Sequence, residues 1–221
     1  MRETSKSKRY FGELENGVLQ DRVLDIGAGG DAVTPDAMPF DVEQGDANRI
    51  TAFAPGSFDC VYSSHCLEHM NDPRSTILNW WSLVRPGGHL FVIVPDEDLY
   101  EQGVFPSRFS KEHLHTFTIA KRRSWSPKSI NLLELCRELP QGHIRSLLLN
   151  DIGYDRSVMY HGPTTGGWFK RWLRKQYQSL RKRSLCDRKP GFERWIARQV
   201  GWDQLLDPAM AQIEVIVQKQ P

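Results

Sequence analysis

Cysteine is scarce in this 221-residue chain: Cys60, Cys66, Cys136 and Cys186 are scattered and form no Cys-x-x-Cys pair. That excludes a zinc ribbon and a disulfide-stapled scaffold, and makes a reducing, cytoplasmic setting the expectation. Long apolar runs are missing too: none approaches the roughly 18 residues of a membrane span. The basic start, residues 1–9, is followed by no apolar stretch, so no secretory signal is expected there. Net charge is small, +2, and bulk charge therefore does not mark the chain as a polyanion binder. What is present is 39% apolar and 25% charged residues, the balance of a globular domain with a real core. A single domain over residues 1–221 is expected.

The charge is unevenly placed. Residues 169–198 hold eleven Lys or Arg against two acids, a net of +9, while the rest carries eighteen bases and twenty-five acids, a net of −7. From Trp168 into that segment, Trp168, Phe169, Trp172, Leu173, Tyr177 and Leu180 recur at helical spacing among Lys170, Arg171, Arg174, Lys175, Arg181, Lys182 and Arg183. This pattern predicts a basic amphipathic helix. It is either a helix packed on the domain with a solvated basic face or a surface for an anionic partner, such as a membrane leaflet or a phosphate-bearing substrate. Nucleic acid is not the expected partner, and the location is cytoplasmic, with membrane-peripheral attachment open.

Along the chain, Tyr10, Phe11, Leu14 and Val18 suggest an entry helix. Residues 22–26 form an apolar run ending at Gly27-Ala28-Gly29-Gly30, which reads as a buried strand entering a tight turn. Residues 58–62 predict a second strand. Asp72-Pro73 is a helix start, with Asp as N-cap and Pro in the first turn. The helix predicted from it has Ile77, Leu78, Trp81 and Val84 on its apolar face and ends before Pro86-Gly87-Gly88. Residues 89–94 read as a strand buried on both faces. Ser126-Pro127 predicts another helix, with Ile130, Leu133 and Cys136 on one face; residues 144–149 and 213–217 predict two last strands. Strands alternating with helices give an α/β fold with a mainly parallel sheet. The stretch 156–207 lacks a clear strand and is expected to be a helical insertion before the last one.

Glycines after the first strand let a backbone approach a ligand closely, at the strand end where open α/β sheets bind ligands. The features that follow are ordered: Asp41 after a short apolar stretch, Gly45-Asp46-Ala47, the strand leading to Ser63-Ser64, Leu67-Glu68-His69, and Leu83-Val84-Arg85-Pro86-Gly87-Gly88. This series resembles the class I S-adenosylmethionine-dependent methyltransferases, over residues 23–95 and more loosely through Val217. The resemblance implies a Rossmann-like three-layer α/β sandwich and S-adenosyl-L-methionine as cofactor. It also implies roles. Asp25 orders the turn and faces the methionine amino group, and Gly27, Ala28 and Gly29 lie against the cofactor. Asp41 accepts both ribose hydroxyls, with Glu43 as a rival for that role. Asp46 accepts from the adenine amino group beside the Ala47 amide, and Ser63, Ser64 and His65 border the sulfonium.

The chain departs from the family pattern in three places. Asp31 stands where another glycine is usual. Twelve residues separate Gly27 from Phe40, at the ~10–12-residue minimum of a crossover connection and too few for a full crossover helix. Four residues separate Asp41 from Asp46. A trimmed sheet follows, with the strand before Asp41 at its edge, where Pro39 is tolerated.

If residues 66–69 are helical, His65, Glu68 and His69 share one face, a spacing that could hold a divalent ion with His113 as a further ligand. The arrangement is similar to the metal site of the small-RNA 2′-O-methyltransferases, which have Glu in place of His65. The plainer reading, that Leu67-Glu68-His69 braces a loop, outweighs it, and no metal is expected. His65 and His113 are the candidate general bases, because a neutral imidazole takes a hydroxyl proton near neutral pH. The expected activity is methyl transfer to an oxygen of a small or glycan-type acceptor. The rival reading is a non-catalytic adaptor that keeps the fold and binds an anionic partner through its basic helix.

Overall fold

A computed structural model describes residues 3–159, 204–206 and 209–221. The basic segment 169–198 and most of the insertion expected over 156–207 lie outside the described residues. Among these, the elements run α1 (Glu3–Ser7), α2 (Glu13–Val18), β1 (Val23–Ile26), β2 (Met38–Phe40), β3 (Phe58–Ser64), α3 (Pro73–Leu83), β4 (Val84–Pro95), β5 (Thr116–Thr118), β6 (Ser129–Asn131), α4 (Leu132–Arg137), β7 (Gly142–Asn150) and β8 (Gln212–Lys219). Six strands form one sheet in the order β2-β1-β3-β4-β8-β7. β2, β1, β3 and β4 are mutually parallel, and β8 runs antiparallel to both β4 and β7. β2 is an edge strand, and no helix lies between β1 and β2, or between β2 and β3, as the short spacings require.

The sheet is buried on both faces because its strands are apolar at successive positions. Leu24, Ile26, Val61, Leu90, Val92, Val94, Val215 and Val217 point to one side, where α3 and α4 cover them. Val23, Cys60, Tyr62, Phe91, Ile93 and Ile216 point to the other, where Phe11 and Leu14 pack against them. The period of two along each strand sorts a continuous apolar run into these two layers.

α3 begins as predicted. Asp72 accepts the Arg74 N–H at 3.1 Å and the Ser75 hydroxyl at 2.6 Å. Its buried face is Pro73, Thr76, Ile77, Trp80, Trp81 and Leu83; the expected Leu78 is 40% exposed. The true stripe follows positions 73, 76/77, 80 and 83, which puts Trp80 in the centre and Leu78 at its margin, and Val84, expected on the helix, opens β4. Tyr10, also expected on an apolar face, is likewise exposed. A second correction concerns residues 126–137. The helix starts at Leu132, capped by Asn131, whose side-chain oxygen accepts the Glu134 N–H. Residues 129–131, expected in that helix, form β6 alongside β5, and this pairing across the chain overrides local helical spacing.

Gly88, at the entry to the buried part of β4, has no space for a side chain: a Cβ there would stand 2.6 Å from the Asp59 carbonyl oxygen and 3.0 Å from that of Arg85. Both obstacles are backbone. Gly88→Ala is therefore expected to destabilise by about 1–3 kcal/mol, the usual cost of overpacking. Urea unfolding checks this: the midpoint should fall at unchanged slope, and an unchanged midpoint would mean that the β3–β4 junction yields freely.

Candidate active site

At the end of β1 the chain turns at Gly27, whose φ is +78° and whose N–H donates to the Phe40 carbonyl at 2.8 Å. A Cβ on Gly27 would lie 2.8 Å from that of Cys66, so both the conformation and the close approach require glycine. Behind the turn, Asp25 is buried and accepts the Val33 N–H at 2.6 Å. Burial lifts its carboxyl to about 7, against the lowering effect of that hydrogen bond. In front of the turn, Asp41 accepts the Gly29 N–H at 2.8 Å and the Val42 N–H at 2.7 Å. The end of β2 is thereby tied to the glycine turn by a side chain as well as by the Phe40 carbonyl.

These groups border an open cleft of about 640 Å³. Gly27, Asp41, Asp46, Ala47 and His65 line it together, although Asp25, Ala28, Gly29, Ser63 and Ser64 are not on its wall. Ser63 is fully buried and donates its hydroxyl to the Ile26 carbonyl at 3.1 Å, and Ser64 is buried next to it. Of the two carboxylates weighed for one role, Asp41 faces the cleft and Glu43 is not on its wall. Asp46 is solvent-exposed; the side-chain and backbone N–H groups of Asn48 hold its carboxyl below the ordinary value and leave one oxygen open. The Ala47 carbonyl accepts the Trp80 indole N–H at 2.9 Å, which fixes this loop to the core.

Residues 65–69 cross from β3 over the top of the sheet. His65 takes a left-handed φ of +51°, its N–H donating to the Ile93 carbonyl at 2.9 Å. A single 3₁₀ turn, Leu67–His69, follows. The Glu68 carbonyl accepts the N–H groups of both Leu114 and His115, at 2.9 and 3.2 Å, and this clamp brings His113 over Glu68. His113 itself is withdrawn from the cleft wall. Tyr100 stacks on its ring at 5.1 Å, and its Nδ1 lies 2.7 Å from the buried Glu101 carboxylate. Burial alone would depress His113, but the Glu101 hydrogen bond and the charge of Glu68 raise it above the ordinary histidine value. Of the two candidate bases, His65 therefore reaches the cleft and His113 stands behind it. His69, not singled out as a base from the sequence, is on the cleft wall as well.

Residues 24–92 match the family model described as a methyltransferase domain. Two curated relatives are ubiquinone biosynthesis O-methyltransferases. That of Ralstonia nicotianae is 45% identical over 51 residues, 23% of this chain and 21% of the relative. That of Cupriavidus pinatubonensis is 43% identical over 53 residues, 24% of this chain and 21% of the relative. The matched stretch thus spans about a fifth of the length of these relatives. Among solved structures, a SAM-dependent methyltransferase from Archaeoglobus fulgidus aligns with a TM-score of 0.52 at 14% identity, covering 99% of this chain and 95% of that one. This is a likeness of fold.

Proposed function

We propose that this chain, whose residues 24–92 match a methyltransferase domain, is a class I S-adenosylmethionine-dependent enzyme that transfers a methyl group to an oxygen of a small or glycan-type acceptor. The observation that carries the reading is the convergence of Gly27, Asp41, Asp46 and His65 on one cleft at the ends of the parallel strands. Its volume suits a nucleoside-sized ligand, within the ~300–1,000 Å³ of small-molecule sites. The residues fit the cofactor. Asp41, an acceptor only, receives the two ribose hydroxyls. The open oxygen of Asp46 would receive the adenine amino group, and the side-chain-free outer face of the Gly27 turn would leave room for the methionyl end of the cofactor, beyond the ribose. Asp25, buried beneath the turn, would draw the methionine ammonium once its carboxyl, lifted to about 7 by burial, has ionised.

Held by these residues, S-adenosylmethionine would supply an electrophilic methyl group for the acceptor oxygen and leave as S-adenosylhomocysteine. His65, on the cleft wall, would take the hydroxyl proton that the acceptor sheds on its Nδ1, because its Nε2 faces the Gln212 amide oxygen. Positioning supplies most of the rate in such a displacement, and the rigid tie of β2 to the glycine turn through Asp41 serves it.

S-adenosylhomocysteine is expected to raise the melting temperature, because a ligand specific for the native state stabilises by about 2.7 kcal/mol at a hundred times its Kd. Asp41→Ala should lose most of that shift while remaining folded. No shift at millimolar ligand in the unmodified chain would leave the non-catalytic adaptor as the better description.

A further inference from the structure

Glu68 is fully buried, and neither of its carboxylate oxygens accepts a hydrogen bond from the described residues. A buried, unsatisfied carboxylate is costly. Three imidazoles face its Oε1: His65 Nδ1 at 3.7 Å, His69 Nε2 at 3.8 Å and His113 Nε2 at 3.8 Å. Each ring has its other nitrogen engaged with an acceptor. His113 Nδ1 faces Glu101 Oε1 at 2.7 Å, His69 Nδ1 faces the Glu112 carbonyl at 3.0 Å, and His65 Nε2 faces the Gln212 amide oxygen at 3.2 Å. A carbonyl or carboxylate can only accept, so these contacts assign the N–H to the outer nitrogen of each ring. The inner nitrogens then present lone pairs to an anionic oxygen. With the rings neutral that arrangement repels itself, and positive charge among them, from a metal ion or from added ring protons, relieves it.

We propose that Glu68, His69 and His113 bind a divalent first-row transition metal ion at the inner edge of the cleft. Their ligating atoms lie within 4.8 Å of one another. Tetrahedral ligands at about 2.0–2.1 Å from an ion stand about 3.4 Å apart, so the 3.8 Å separations to Glu68 need to close by only a few tenths of an ångström. Two imidazoles and one carboxylate are the donor set that suits Zn²⁺, Co²⁺ or Fe²⁺, and they leave a coordination position open. The outer contacts are those of a built site: the Glu101 carboxylate orients His113, and a main-chain carbonyl orients His69, as is usual around ligating histidines. His65 lies outside the three-atom cluster and keeps its place beside it. With His69 on the cleft wall, the open position faces the space assigned to the acceptor. Only that last statement rests on the methyl-transfer reading; the ion site stands without it.

The full-length chain, stripped with chelator and dialysed, is titrated with Zn²⁺ by calorimetry and with Co²⁺ by visible absorption. One ion per chain, d–d bands of a nitrogen-and-oxygen site and a higher melting temperature are expected. Glu68→Gln should weaken binding by a hundredfold or more. His69→Gln, at a partly exposed position that leaves the core untouched, should do the same, and Glu101→Gln should weaken it about 10–100-fold by releasing His113. Failure of the unmodified chain to bind either ion, or binding that is equally tight in both Glu68→Gln and His69→Gln, overturns the proposal; the cluster would then be balanced by protons. S-adenosylhomocysteine binding, followed on the same samples by thermal shift, reports separately on the cofactor cleft.

Discussion

Trp80→Ala is expected to be the most destabilising single change in the described part of the chain. The side chain is fully buried at the centre of the α3 face, and removal of such a ring costs about 3–5 kcal/mol. At about 2–4 °C per kcal/mol for a domain of this size, the melting temperature should fall by roughly 6–20 °C. A second effect separates Trp80 from an ordinary core residue, because its indole N–H holds the Ala47 carbonyl at 2.9 Å. Trp80→Phe keeps most of the buried surface but removes that donor. It should therefore weaken S-adenosylhomocysteine binding by a larger factor than its modest loss of stability suggests. Calorimetry at a temperature where both proteins are folded checks this, and equal affinity in the two would show that the Asp46–Ala47 loop holds itself.

The affinity for S-adenosylhomocysteine is expected to depend on pH through Asp25. Its folded-state carboxyl sits at about 7 instead of 3.8, chiefly through burial. The folded protein therefore keeps this proton over a window in which the unfolded chain has lost it. Stability from this group is present at low pH and declines as pH rises toward about 7. Binding of the ligand's ammonium group runs the opposite way, because it needs the carboxylate. Affinity should rise by up to tenfold per pH unit until about pH 7 and then level. Asp25→Asn should bind weakly with a flat profile, and should be the more stable protein above neutral pH. An unmodified chain whose affinity is flat between about pH 5.5 and 8 would remove Asp25 from contact with the ammonium.

The parts of the fold that were readable in the sequence are those with local causes. The apolar run into Gly27, the Asp72-Pro73 cap and the Pro86-Gly87-Gly88 entry each announce an element through residues adjacent to it. The short spacings around Asp41 were equally informative, since twelve residues between Gly27 and Phe40 leave no room for a full crossover helix, and β2 is the edge. What was not readable depends on contacts between distant segments. Residues 129–131 have helical spacing but pair with β5. Leu78 and Trp80 exchange places because the packing direction of α3 is set by the sheet beneath. The meeting of His113 with Glu68 rests on two main-chain hydrogen bonds across some 45 positions, from Leu114 and His115 to the Glu68 carbonyl. From sequence, His113 came beside Glu68 only as a further ligand of an ion; what spacing does not show is that Glu101 and Tyr100 hold His113 behind the cleft.

The placement of Pro39 bears on how this molecule avoids its own copies. Met38 and Phe40 pair in register with Leu24 and Ile26 of β1, with Pro39 between them opposite Asp25. The Phe40 carbonyl is turned inward to the Gly27 N–H, so on alternation the backbone nitrogen of Pro39 is the one turned outward. It carries no hydrogen. A further strand seeking to lengthen the sheet beside β2 meets three residues of backbone with its central donor deleted, which is a recognised defence against edge-to-edge aggregation. The margin of the sheet next to Asp41 is thereby closed to strand addition, and crowding by neighbouring copies is kept away from the cleft entrance.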